Sequence, residues 1–316
     1  MKTRNAVMLM GCMAITAYAE LGATRGVTAN GYEDCFVLEN RDTRVTLCPA
    51  VGGRVMEYSF KGKQALPLRN PRDGKPMVSG RFDIGPELTI PRRNILWSGK
   101  WTGNITGPLS ARLTSPVDPA VGVKLVRDFV LADTGSELKC TQTIVNVAEH
   151  AVSYNHWSRT FAMGKGIVLV PLKGNSRYPS RYAMYEDSAV INVRPEDEKI
   201  RERDGFLEIL AAPRKPKLGM DSTAGWMAYL MPNDLLFVKH FPVYPERVYG
   251  EAAALTLSVW YPSDWSVVEL EPIGPLEHID PGASASFTET WQLAEWKFPD
   301  KGAQVDLMAL SKRFGK

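Results

Sequence analysis

Residues 266–293 read SVVELEPIGPLEHIDPGASASFTETWQL, and the class of the fold turns on them. The stretch opens with a short strand, 266–271. Val268 and Leu270 point to one side of it and Glu269 and Glu271 to the other, because successive side chains on a strand alternate. The two carboxylates then stand roughly 7 Å apart on one face. Pro272, Gly274 and Pro275 are expected to stop this strand, since Pro cannot donate to a ladder. Pro281 and Gly282 make the next turn. A second strand, 284–293, puts Ala285, Phe287, Glu289, Trp291 and Leu293 on one face and Ser284, Ser286, Thr288, Thr290 and Gln292 on the other. That is the pattern of an antiparallel strand with one buried and one wet face. Glu269 and Glu271 read in two ways, as a solvated strand face or as a paired-carboxylate site. The Pro-Gly loop behind them keeps the second reading open, because sites gather on loops held by rigid strands.

The same alternation runs through most of the chain. Between residues 33 and 68, Phe36, Leu38, Val45, Leu47, Val55 and Met56 supply the apolar positions of short strands, with breaks at Pro49 and at Gly52-Gly53. Residues 71–76, PRDGKP, form a loop. Strands are expected at 111–116, 121–131, 136–147, 151–161, 225–231, 235–241 and 255–261. The charge run 194–204, RPEDEKIRERD, reads as an exposed loop or short helix, and 213–216, PRKP, as a surface break. A helix is expected at 305–314, with Leu307, Leu310 and Phe314 on one face. No repeat of 20–50 residues and no strand–helix alternation is present, which argues against solenoids, propellers and parallel α/β sheets. The expectation is an all-β fold, a large antiparallel sandwich over residues 20–316 as one domain, with a short C-terminal helix.

The chain has 316 residues, 44% of them hydrophobic and 23% charged, with a formal net charge of +3. Lys and Arg are not gathered into a stripe with aromatics, so a nucleic-acid partner is not expected. Lys2 and Arg4, the apolar run 6–16 and Ala17-Tyr18-Ala19 resemble a signal peptide cleaved after Ala19, which places the mature chain in the periplasm or outside the cell. The apolar run is too short to span a bilayer, so no membrane partner is expected after cleavage. A lipoprotein signal ending at Cys12 is the alternative. Cys35, Cys48 and Cys140 remain after cleavage. Cys35 and Cys48 fall in two neighbouring strands and either pair as a disulfide or stay as buried thiols. With no C-x-x-C and no H-E-x-x-H, neither a metal nor a cofactor is expected.

Residues 82–101, FDIGPELTIPRRNILWSGKW, have no clear period, and long irregular segments in folded domains are often functional. Asp83, Glu87, Arg92, Arg93, Trp97 and Trp101 offer the charged groups and flat apolar faces that sugars need. The other reading is a loop that packs its own aromatics over a sheet edge. Of the histidines, His150 and His278 fall in polar turns and read as solvated. His240 ends an apolar strand and could border a site. His156 lies within 151–161 among Tyr154, Asn155, Trp157 and Arg159, where it is either a satisfied structural residue or an acid–base group.

Three segments carry a resemblance. Residues 48–58, CPAVGGRVMEY, are similar to the N-terminal strand of the galactose mutarotase (aldose 1-epimerase) superfamily, with Arg54 inside the motif. Residues 154–158, YNHWS, resemble its Asn-His-aromatic motif, and residues 268–272, VELEP, its Leu-Glu strand end. The chain looks most like the exported DUF4380 branch. The resemblance implies a β-supersandwich with a sugar cleft on a concave face. It also implies a reaction in which Glu271, as base, takes the anomeric hydroxyl proton while His156, as acid, protonates the ring oxygen. Glu269, beside Glu271, would raise one carboxyl pKa of the pair if both are buried. A departure stands against this: the family carries a further histidine in an early loop, and none occurs before His150.

The expected ligand is a mono- or oligosaccharide. His156 and Glu271 are the candidate catalytic residues, and Arg54, Glu87, Arg92, Trp97, Trp101, Asn155, Arg159, His240 and Glu269 the candidate substrate-binding residues. Three functions stay open: an aldose 1-epimerase-type isomerase, a glycan-recognition protein without catalysis, and a glycan hydrolase or lyase on the same scaffold. The sequence leaves the oligomeric state open.

Overall fold

The structure is a computed structural model that describes residues 21–68, 79–187, 190–251, 254–263 and 265–315. The expected signal segment, with Cys12, and the expected loop at 71–76 lie outside the described residues.

In chain order the first strands are β1 (Gly22–Ala29), β2 (Tyr32–Glu39), β3 (Thr43–Cys48), β4 (Arg54–Phe60), β5 (Lys63–Gln64) and β6 (Gly80–Gly85). A short helix α1 (Asn94–Ser98) precedes β7 (Thr102–Gly107), β8 (Ser110–Thr114), β9 (Val123–Leu131), β10 (Leu138–Asn146), β11 (Val152–Met163) and β12 (Ile167–Pro171). Five shorter strands follow: β13 (Ala183–Tyr185), β14 (Ile191–Asn192), β15 (Ile200–Arg203), β16 (Phe206–Ile209) and β17 (Lys217–Met220). The chain ends with β18 (Trp226–Met231), β19 (Leu235–His240), β20 (Leu257–Trp260), β21 (Val267–Ile279), β22 (Ser284–Glu295) and helix α2 (Leu307–Phe314).

These strands make two antiparallel sheets. The first runs β1-β2-β3-β4-β6-β11-β21-β20-β17-β13-β14, with β5 on β4; the second runs β15-β16-β12-β18-β19-β22-β10-β9-β8-β7. Their facing sides close over one large apolar layer in which Phe82, Phe129, Phe237 and Trp291 are fully buried. Each such side chain contributes about 1.5–3 kcal/mol relative to an exposed one. The alternation read at 284–293 holds: Phe287, Glu289, Trp291 and Leu293 are buried and the residues between them are not. Helix α2 is capped by the Asp306 side chain, which accepts from the Ala309 N–H at 2.9 Å. It buries Leu307, Leu310 and Phe314 on the outer face of the second sheet, in a cluster with Trp226 and Val238.

Three expectations are corrected. The strand beginning near 266 does not stop at Pro272; β21 runs on to Ile279. Ile273 pairs with Trp157 and Leu276 with Asn155, so β21 carries one extra residue at Gly274-Pro275, and this bulge absorbs the missing Pro donor. The charge run at 194–204 is partly strand β15, because Arg201 and Arg203 both reach across to Glu208 on β16. The irregular stretch at 82–101 begins inside strand β6, whose residues are all buried. Cys35 and Cys48 lie on the paired strands β2 and β3 as buried free thiols.

Candidate functional site

Five adjacent strands of the first sheet, β6-β11-β21-β20-β17, build one charged floor by cross-strand register. Arg81 on β6 stands opposite Arg159 on β11. Next along, Glu271 on β21 stands opposite Ser258 on β20. A parallel row runs Phe161, Glu269, Trp260 and Lys217. All these side chains leave the face turned away from the second sheet. Their inward neighbours, Phe82, Val268 and Leu270, belong to the apolar layer.

Two arginines facing one another across a ladder repel, and the floor holds them by surrounding them with carboxylates. Arg159 pairs with Glu87 at 3.1 Å, Glu271 at 3.2 Å and Asp83 at 3.6 Å, and Arg81 pairs with Glu269 at 3.4 Å. Glu87 also pairs with Lys217, and Asp83 accepts from the Trp97 indole N–H. Burial opposes the Arg159 charge, yet Glu271, Glu87, Glu269 and Asp83 together hold its pKa above the usual guanidinium value. Burial alone would raise Glu87, but Arg159 and Lys217 outweigh it and hold it low. Burial raises Asp83 against the pull of Arg159. Glu269 is the extreme case. Burial, then the adjoining Glu271 carboxylate, push its pKa well above the carboxylate range, more than Arg81 and Arg159 can offset. Both glutamates are only 1% exposed. Glu269 Oε1 and Glu271 Oε2 have no hydrogen-bond partner among the described residues.

Above this floor opens a cavity of about 510 Å³, within the range that holds small ligands. Arg81, Arg159, Glu269 and Glu271 form its base, Trp97, Trp260 and Tyr185 its apolar walls, and Glu87, Lys215 and Lys217 its polar rim. Lys217 Nζ lies 5.2 Å from the Tyr185 ring and 5.1 Å from the Trp157 ring.

The expected pairing of His156 with Glu271 across a shared hollow is corrected. On β11, residues 157 and 159 face the floor, and His156 faces the other way. It is 0% exposed between the sheets, stacked on Phe82 and Phe287 at 5.7 Å each. Its Nε2–H donates to the Ala285 carbonyl at 3.0 Å. Burial pushes its pKa down to about 4. The structural reading fits this histidine, with Nε2 bonded and Nδ1 buried without a hydrogen-bond partner among the described residues.

Of the other expected binding residues, Glu87, Trp97, Arg159 and Glu269 line the cavity. Trp97 is not an open platform, because the Arg81 and Arg92 guanidiniums lie 3.7 and 4.0 Å from its ring. Four more are corrected. Arg54 is buried and braces α1 from behind, donating to the carbonyls of Val51 and Trp97 at 2.9 Å each. Trp101 sits in the apolar layer and donates to the Leu96 carbonyl. Asn155 is buried against Gly85, away from the cavity lining. His240 lies on the outer face of the second sheet, where Nε2–H donates to the Phe314 carbonyl at 2.8 Å and the ring stacks on Trp226. His278 is exposed, as expected.

Sequence reading missed Arg81, Tyr185, Lys217 and Trp260. One signal for Arg81 was present. Residues 81–84, RFDI, alternate charged and apolar in the same way as 268–271, VELE, and both runs send their charges to the floor. Among the described residues, no cluster of His, Cys, Asp and Glu is arranged to hold a metal ion.

The family model that matches the chain is described as a domain of unknown function (DUF4380) and covers residues 98–294. Among solved structures, the chain is similar to a protein of Synechocystis sp. PCC 6803, with TM-score 0.58 and 16% identity over 89% of this chain and 100% of that one. It is also similar to a putative aldose 1-epimerase of Escherichia coli K12, with TM-score 0.58 and 10% identity over 83% and 99% of the two chains. A galactose mutarotase-like protein of Lactobacillus casei ATCC 334 gives TM-score 0.59 and 9% identity over 82% and 100%. At these identities the likeness is one of fold, and the fold is galactose mutarotase-like. A comparison with curated proteins gives no match.

Proposed function

The chain belongs to the DUF4380 family, and from that premise we propose that its cavity binds an aldose ring and interconverts the anomers by acid–base chemistry on Glu269 and Glu271. The observation that carries this is the carboxyl pair on the cavity base. Two carboxyls side by side, one with its pKa raised by burial and by its neighbour, supply candidates for an acid and a base at one place. His156 takes no part, since it faces the interior. Arg159 cannot replace it as acid, because a guanidinium whose pKa is raised does not release a proton.

In this scheme Glu271 accepts the proton of the anomeric hydroxyl while Glu269 donates its proton to the ring oxygen. The bond between the anomeric carbon and the ring oxygen breaks, and the open aldehyde forms. After rotation about the adjoining carbon–carbon bond, the chain hydroxyl attacks the other face of the carbonyl. Its proton returns to Glu269 and that of Glu271 goes to the new anomeric oxygen, so nothing is consumed. Arg81 and Arg159 orient the two carboxyls. Trp260 and Tyr185 offer apolar faces to the ring.

A second reading is recognition without turnover. It is favoured by the guanidinium of Arg159, a group that binds oxygens without exchanging protons, beside Glu271 where the imidazole was expected. One experiment separates the two. Anomer interconversion of a panel of aldoses is followed by exchange NMR with the wild type, Glu269→Gln and Glu271→Gln, alongside calorimetric binding. The enzyme reading expects acceleration over buffer that drops by about 10²–10⁴-fold in each variant. Binding with all rates equal to buffer leaves the recognition reading. Neither binding nor acceleration removes both.

A further inference from the structure

The mechanism leaves one fully buried ion pair unused. Lys239 on β19 and Glu289 on β22 both belong to the second sheet and both are 0% exposed, 3.0 Å apart. The Lys239 ammonium donates to Ser158 Oγ, Thr160 Oγ1 and the Leu270 carbonyl, each at 3.1 Å, and all three lie on the first sheet. Glu289 in turn accepts from Gln142 Nε2 at 2.8 Å and from the Trp291 indole N–H at 2.9 Å. An ammonium has three protons, and four oxygens surround this one, so no proton is spare for a ligand or for chemistry.

The place where those protons go is informative. Ser158 and Thr160 flank Arg159, and Leu270 lies between Glu269 and Glu271. On alternating strands, Lys239 therefore grips from behind the very segments whose outward side chains form the cavity base. The grip falls where the ladder is weakest. Pro272 follows Glu271 without an N–H to give, and the bulge at Gly274-Pro275 comes next.

Stability does not explain the pair. A buried ion pair is often no better than apolar residues of the same volume, because desolvation offsets the attraction. Apolar packing is non-directional and tolerates small shifts within a given register, whereas directional hydrogen bonds hold neighbouring groups at a set spacing. We infer that Lys239, held by Glu289, is a positioning residue that holds β11 and β21 in alignment and so sets the spacing of Arg159, Glu269 and Glu271. Glu289, Arg127 and Cys140 are the ionisable groups acting on the ammonium.

The inference rests on the carboxyl-pair reading for its kinetic consequence but has a readout of its own. Carboxyl ¹³C shifts of Glu269 and Glu271, assigned with Glu269→Gln and Glu271→Gln, are followed against pH. The wild type is compared with the double variant Lys239→Met/Glu289→Gln, with Thr160→Val, and with a packing control, Phe237→Leu. The folded double variant is expected to move the titration of the pair by about one pH unit. Its turnover number is expected to fall about tenfold or more while KM changes little. Thr160→Val, which keeps the ion pair and removes one acceptor, moves the titration in the same direction by less. Phe237→Leu moves neither. Unchanged titration in a folded double variant overturns the inference; should that variant not fold, unchanged titration in Thr160→Val overturns it. If the wild type interconverts no anomers, the enzyme reading fails while the titration still decides the role of Lys239.

Discussion

Arg159 concentrates the electrostatics of the site in one side chain. It is buried, and its charge neutralises parts of Glu271, Glu87 and Asp83 at once. Removing it leaves buried carboxylates without a cation, and breaking a buried pair on one side costs about 3–5 kcal/mol. Arg159→Met is therefore expected to lower the unfolding free energy by about that amount in urea denaturation at pH 7. Adding Glu271→Gln to it should restore part of the loss, since one orphaned charge goes too. A loss below about 1 kcal/mol would mean that the carboxylates find protons instead of suffering. The sequence disclosed some of this. Strand parity put Glu269 and Glu271 together and put Glu289 on the buried face. It could not place His156. β11 is buried on both faces, so the alternation that tells inside from outside is absent there. The partner cations come from β6, β11 and β17, far away in the chain, and only the register of the sheet brings them to the pair.

At the scale of elements, the loop between β6 and β7 shapes one cavity wall, and a glycine sets its height. Gly52 has φ of +73°, and a Cβ there would stand 2.1 Å from the Trp97 carbonyl oxygen of α1. That carbonyl accepts from Arg54, and the Trp97 ring carries Arg81. Gly62 offers a comparison, with φ of +76° and open space around it. Both Gly52→Ala and Gly62→Ala pay for a left-handed backbone, about 1 kcal/mol. Only Gly52→Ala must also push α1 aside. It is expected to be the less stable of the two by urea denaturation, and the one with altered Trp97 fluorescence and weaker sugar binding. Equal behaviour of the two would show that α1 moves freely. Most strands were legible because their apolar positions alternate, as at 284–293. The run through Pro272 was not legible, because Pro272 stays in the ladder opposite Leu257 and the bulge at Gly274-Pro275 then accommodates the second proline. The strand in 194–204 was hidden by charge, since Arg201 and Arg203 find their partner on β16 and not within the run.

For the whole molecule, burial of ionisable groups between and upon the sheets sets an uncommon dependence of stability on pH. His156 has a folded pKa of about 4, below the unfolded value near 6.5. Its contribution is present above pH ~6.5 and is lost as pH falls through the folded value, roughly 3 kcal/mol over the full window. Glu269 has the opposite sign. Its folded pKa is raised, so its contribution is complete below the unfolded value of ~4.3 and is lost as pH rises through the folded one. Asp83, also raised, acts in the same sense as Glu269. Glu87, held low by Arg159 and Lys217, contributes above ~4.3 and loses its effect only below that. Above pH ~4.3 Glu269 and Asp83 therefore make stability fall as pH rises, while below ~6.5 His156 makes it rise, so the slopes oppose one another. Unfolding free energy, measured by urea denaturation from pH 4.5 to 6.5, is expected to rise more steeply with pH in Glu269→Gln than in the wild type, and to rise less or to fall in His156→Gln. A Glu269→Gln profile that runs parallel to the wild type would contradict the raised pKa of Glu269, and with it the acid that anomer interconversion in this cavity requires.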